Sequence, residues 1–168
     1  MSRRLSVVIT AAVATGTLLS ATPATPASAQ NCWNYHRSER VFARKVNYAR
    51  ASRGIKKLER DKQLTVVARR HSYEMAKKNN LYHTPDSTLA YRVTKWRVLG
   101  ENIGVGSSIK SLHRAFMDSA PHRANLLYSS FRHVGVGVVR KHDRIWVTFV
   151  FESAIDPGTT LTPRAKSC

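Results

Sequence analysis

The sequence predicts an α+β domain in which helices pack on a small antiparallel sheet. Apolar residues recur at helical spacing through the first part of the chain. The period then changes to two in a late valine- and phenylalanine-rich stretch with a polar turn at its centre. Helices first and a hairpin late are the order of segregated α+β layering.

Val41, Phe42, Val46 and Ala49 form one helical face from Glu39 to about Arg53, with Ser38 read as the N-cap and Gly54 as the stop. A second helix begins at the cap Asp61. It lines up Leu64, Val67, Ala68, His71, Ser72, Met75 and Ala76 at steps of three and four, opposite Lys62, Arg69, Arg70, Lys77 and Lys78. Asn79-Asn80 end this helix, and Pro85-Asp86-Ser87 marks a loop after His83. Leu89 to Val93 reads as a short helix, and the glycine-bounded stretch from Trp96 to Gly106 puts Glu101 on a short strand or extended loop. Ile109, Leu112, Ala115 and Phe116 predict a third long helix, and Pro121 starts the turn into a helical piece over 122–127. Val134, Val136 and Val138 alternate with Gly135, Gly137 and Val139. The turn Lys141-His142-Asp143-Arg144 then leads into Ile145-Trp146-Val147-Thr148-Phe149-Val150-Phe151, an antiparallel hairpin. Glycines on one face of that hairpin let a helix or another backbone approach closely.

The N-terminus reads as an export signal over residues 1–29: Arg3 and Arg4, an apolar run from Leu5 to about Ser20, and the small-residue site Ala27-Ser28-Ala29. The run is too short and too diluted by Thr, Ser and Gly to be a membrane anchor. A general secretory route fits better than twin-arginine export, because Ser6 and Val7 follow the arginines. The expectation is a secreted, extracellular monomer of about 140 residues, the size of one domain. Residues 30–40 form an N-terminal segment, 41–155 the folded domain and 156–168 an irregular tail.

The formal charge of +18 attracts anions: nucleic acid, acidic lipid head groups, or polymers of cell walls. Lys56-Lys57, Arg69-Arg70 and Lys77-Lys78 are scattered without interleaved aromatics, so no specific nucleic-acid partner is expected. A lipid or an anionic wall polymer is the expected partner. Cys32 and Cys168 are the only cysteines, and an even pair in an exported chain favours a disulfide that ties the two ends together. Closing so long a loop contributes at most ~4 to 5 kcal/mol in the chain-entropy model. Two reactive thiols are the alternative, without a Cys-x-x-Cys spacing in support.

Two stretches set a carboxylate or an imidazole among glycines or apolar residues: Leu99-Gly100-Glu101-Asn102-Ile103-Gly104, and Ser119-Ala120-Pro121-His122-Arg123-Ala124-Asn125-Leu126-Leu127. With Leu81-Tyr82-His83 before them and Val134-Gly135-Val136-Gly137-Val138 after, their order resembles a bacterial CAP domain. That superfamily holds cysteine-rich secretory proteins, venom antigens and plant pathogenesis-related proteins. The resemblance implies a three-layer α-β-α sandwich. It also implies that His83, Glu101 and His122, eighteen and twenty-one residues apart, share one cleft. These match three members of the family's cavity tetrad of two histidines and two glutamates; the second glutamate falls near Ser119.

Two histidines and a carboxylate are a recurrent set for an open Zn²⁺ site, so His83, His122 and Glu101 are candidate ligands for zinc or another divalent metal. Without metal, Glu101 would orient an imidazole by hydrogen bonding. His83, Glu101, His122 and Ser119 are thus the candidate ligand-binding residues, and no catalytic residue is assigned. His71 is read as a buried residue with a backbone or hydroxyl partner. His113, His133 and His142 are read as solvent-facing, and His36 as preceding the core. Asn125 is expected to bond backbone groups. Trp96, Phe116, Phe131, Trp146, Phe149 and Phe151 are read as core. The leading function is a secreted binding cleft. A metal-dependent hydrolase or basic nuclease using the same three residues is one alternative, although no Gly-x-Ser-x-Gly elbow is present. A disulfide-stapled structural or interaction module is the other.

Overall fold

A computed structural model describes residues 34–154; the export segment, both cysteines and the C-terminal tail lie outside the described residues. The elements run α1 (Arg37–Ala51), β1 (Glu59–Arg60), α2 (Lys62–Lys78), α3 (Asp86–Arg92), β2 (Leu99–Gly106), α4 (Ile109–Asp118), α5 (Ala120–Leu127), β3 (His133–Lys141) and β4 (Arg144–Glu152). The four strands lie in the order β1-β3-β4-β2. Both long-strand pairings are antiparallel, but β1 joins β3 in parallel. The sheet is therefore mixed. Two residues are too few for a periodic signal, which is why β1 is not visible in the sequence.

Alternation along β4 builds the layers. Ile145, Val147, Phe149 and Phe151 point to a core shared with Phe42 and Val46 of α1, Leu112 and Phe116 of α4, and Leu126 of α5. Trp146 and Val150 point the other way, against Met75 and Ala76, and against Leu64, Val67 and Ala68 of α2. Helices thus cover both faces, the three-layer sandwich expected. Phe149 stands at the centre of the first layer, edge-on to Phe42 and Phe116 at 5.4 and 5.6 Å.

Gly135 and Gly137 make the close approach of α2 possible. A Cβ on Gly135 would lie 2.0 Å from the Leu64 carbonyl carbon, and one on Gly137 would lie 2.2 Å from that of Ala68. Asp61 caps α2 by accepting the Leu64 N–H at 2.8 Å, and Asn79 ends it in the left-handed region. At α1 the cap is His36, not Ser38: the His36 N–H donates to Glu39 Oε2 at 2.7 Å, half of a reciprocal capping box. Buried Glu39 also accepts two bonds from Arg69 of α2, at 2.6 and 2.7 Å, which fastens the start of α1 across the fold. His142 and Asp143 both have positive φ (51° and 55°), the two-residue geometry that matches the twist of a hairpin.

Two histidines differ from expectation. His133 is buried, and its Nδ1 pairs with Glu152 Oε2 at 2.8 Å. The hairpin register sets these residues directly opposite each other at the ends of their strands. His113 is half-buried, and burial, helped by the charge of Lys45, pulls its titration below the ordinary range.

Candidate functional site

The sheet edge brings Glu101 to His83 and sets the backbone of His122 beside the same strand. β2 is an edge strand, and its alternate residues face opposite helical layers. Gly100 and Gly104 face α4, α5 and the segment after them, where added Cβ atoms would meet the rings of Phe131 and Phe116 at 2.7 Å. Asn102 lies on that same face, while Glu101 turns to the side of α2 and the loop after it.

Glu101 is a buried carboxylate with three donors. Oε1 accepts the Thr84 N–H at 2.9 Å and His83 Nδ1–H at 2.8 Å, and Oε2 accepts the Thr84 hydroxyl at 2.7 Å. Its side chain is 5% exposed, whereas that of His83 is 59% exposed. The loop bearing His83 is fixed from behind by His71. Its Nε2 lies 2.7 Å from the Tyr82 carbonyl, an acceptor, so Nε2 carries the proton and donates. Buried His71 thus has the backbone partner expected, one residue before His83.

His122 arrives from the other layer. Asn102 donates to the His122 carbonyl at 2.9 Å, and Asn125 donates to the Glu101 carbonyl at 3.1 Å and to Asn102 Oδ1 at 3.0 Å. These two amides tie α5 to β2 beside Glu101. Asn125 therefore does bond backbone, as its residue type implied, and Asn102 shares the task without a separate signal in the sequence. Arg123 accompanies it by donating to the Met117 carbonyl at 2.6 Å. The His122 ring packs edge-on against Phe116 at 5.2 Å, with Nδ1 2.8 Å from Ser119 Oγ. Desolvation lowers its titration below the ordinary 6.5, and the charge of His83 lowers it further. With both Nδ1 atoms engaged, Nε2 is the nitrogen each ring has left for a ligand.

Beside His83 lies a cleft of about 420 Å³, lined by Thr84, Asp86 and Glu101 and by Leu89, Ala90, Trp96 and Leu99. Trp96 is 41% exposed, unlike the other five aromatics read as core.

The donor set does not fit a resident zinc ion of the three-ligand kind. Both oxygens of Glu101 are already engaged by Thr84 and His83, and no three His, Cys, Asp or Glu side chains among the described residues group as a metal centre. Glu101 orients an imidazole instead. A Ser–His hydrolase needs a third group to orient the base. Among the described residues no carboxylate bonds His122.

Residues 43–151 match the family described as CAP, the cysteine-rich secretory protein family. This chain belongs to that family. The Bacillus subtilis protein YkwD is 30% identical over 138 residues, 76% of this chain and 53% of YkwD, so the chain spans about half the length of that curated relative. The crystal structure of an extracellular protein containing an SCP domain from Bacillus anthracis str. Ames superposes with a TM-score of 0.62 at 26% identity, over 70% of this chain and 40% of the other. An outer surface protein of Borrelia burgdorferi shares the fold with a TM-score of 0.62 at 16% identity, over 68% and 92% of the two chains. Among the described residues no helix is long and apolar enough to cross a membrane.

Proposed function

We propose that this chain is a secreted CAP-domain module that binds an organic ligand of the cell envelope in the cleft beside His83, with the His83 and His122 imidazoles as contacts and Glu101 and Ser119 holding them. One observation supports this reading above the rest: a buried carboxylate, with three hydrogen bonds, holds a solvent-open imidazole in place. Enclosing a carboxylate is costly unless its bonds are satisfied. A fold that needed only stability could place an apolar residue there. The strong positive charge, which removal of Arg3 and Arg4 with the export segment leaves largely intact, suits an anionic surface such as wall polymer or acidic lipid. Cleavage after Ala29, a folded domain over 41–155 and a Cys32–Cys168 bridge belong to the same proposal.

The test compares wild type with His83→Ala combined with His122→Ala. Sedimentation with isolated cell envelopes is expected to capture the wild-type protein and not the double variant, with thermal melts that agree within a few degrees. Equal capture of both would refute the cleft, and a collapsed melt with capture intact would make the cluster structural.

A further inference from the structure

The segment after α3 holds one large aromatic ring in the open. It is pinned at every turn. The Thr94 N–H donates to Gln63 Oε1 at 3.0 Å while Gln63 Nε2 donates to the Thr94 hydroxyl at 3.0 Å, which fastens the segment to α2. Lys95 follows with φ at 56°, a left-handed conformation that a lysine seldom adopts. Trp96 then donates its indole N–H to the Ala90 carbonyl at 3.2 Å. Val98 closes the segment by exchanging bonds with Ser153, at 3.0 and 3.1 Å.

The indole has one polar group, and that group is already satisfied inside the protein. What Trp96 offers the cleft is an apolar face with negative quadrupole. The same hollow is lined by polar His83, Thr84, Asp86 and Glu101 as well as by apolar Leu89, Ala90 and Leu99. The volume of about 420 Å³ lies in the ~300–1,000 Å³ range of small-ligand sites. An acyl chain would meet four polar side chains in that hollow. A pyranose ring presents one flat C–H face to stack on an aromatic ring and a rim of hydroxyls to hydrogen-bond. Exposed Lys95 and Arg97 flank Trp96 in the chain and add positive charge next to it.

We propose that the cleft binds a saccharide bearing acidic substituents, as in a wall glycan, with one sugar ring stacked on Trp96, its hydroxyls on the His83 side and its acidic group toward Lys95 and Arg97. This names the ligand class for the cleft proposed above and rests on that reading. Catalysis is no part of it.

Calorimetric titration of the purified protein with soluble N-acetylglucosamine–N-acetylmuramic acid oligomers tests it, with chitotetraose as the neutral probe and phosphatidylglycerol vesicles as the lipid probe. The muramic acid oligomers are expected to bind. Trp96→Ala and Trp96→Leu should each weaken binding at least tenfold, whereas Trp96→Phe should stay within about threefold. Lys95→Glu with Arg97→Glu should weaken the acidic oligomer and leave chitotetraose unchanged. Unaltered binding by Trp96→Leu, an intact fold being checked by melting, overturns the stacking platform. Binding of vesicles without oligomers, lost in the paired histidine variant, overturns the saccharide and keeps the cleft. No binding of oligomer, vesicle or envelope overturns both readings.

Discussion

Glu101 on the edge strand holds the ring of His83, eighteen residues earlier, by a 2.8 Å bond from Nδ1 to Oε1, and the same carboxylate takes both donors of Thr84. All three partners donate, so only a carboxylate satisfies them. Glu101→Gln keeps the shape but turns an NH₂ group toward a donor. The expected cost is ~1–3 kcal/mol in urea unfolding, with Thr84→Val at about 1 kcal/mol. A Glu101→Gln variant as stable as wild type would mean that the carboxylate does not carry these bonds.

Burial and the nearby charge of His83 favour neutral His122 in the folded protein. Its midpoint, followed by NMR of the ring nitrogens, should fall below 6.5, and His83→Ala should raise it part of the way back. Because the folded value is depressed, the unfolded chain binds the proton first as acid is added. The contribution of this group to stability is therefore present above pH 6.5 and is lost as pH falls through the folded value. A midpoint at or above 6.5 would contradict the desolvation of the ring, and one that His83→Ala leaves unmoved would contradict the influence of His83.

Gly135 and Gly137 leave no room for a methyl group, because α2 backbone atoms stand where it would go. Backbone yields less readily than a side chain. Gly137→Ala should cost more than the ~1–3 kcal/mol typical of overpacking and lower the yield of folded protein. The same substitution at Gly54, whose φ is +68° with open space around it, should cost only conformational strain. Equal melting temperatures for the two variants would be inconsistent with this packing.

Glu101 is engaged by protein donors, so the fold holds its site without help from an ion. Treatment with a chelator should leave the melting temperature unchanged. A drop of several degrees, restored by Zn²⁺, would show that a metal is part of the folded state.

Periodicity made α2 legible almost residue by residue, since Asp61 and Asn79 are ordinary cap residues around an unbroken apolar face. The start of α1 shifted because His36 caps it, a role more often taken by Ser, Thr, Asp or Asn. The solvent-facing expectation for His133 fails because its partner, Glu152, is set by hairpin register and not by proximity in sequence. Trp96 departs from expectation for a different reason: apolar type predicts burial, but bonds with Gln63, Ala90 and Ser153 hold its segment at the surface.

The amino-acid order by itself determined the helices, the hairpin, the two glycines under α2 and, through the resemblance of its motifs, the residues to watch. Those properties depend on neighbours a few positions apart, so local spacing carries them. Only in the folded chain does Glu101 hold His83 and Thr84 together, do Asn102 and Asn125 tie the backbone of α5 to the strand edge, and does Trp96 stay open beside Glu101. Each of these depends on short-range hydrogen bonds between segments far apart in sequence, and such bonds have no period to read.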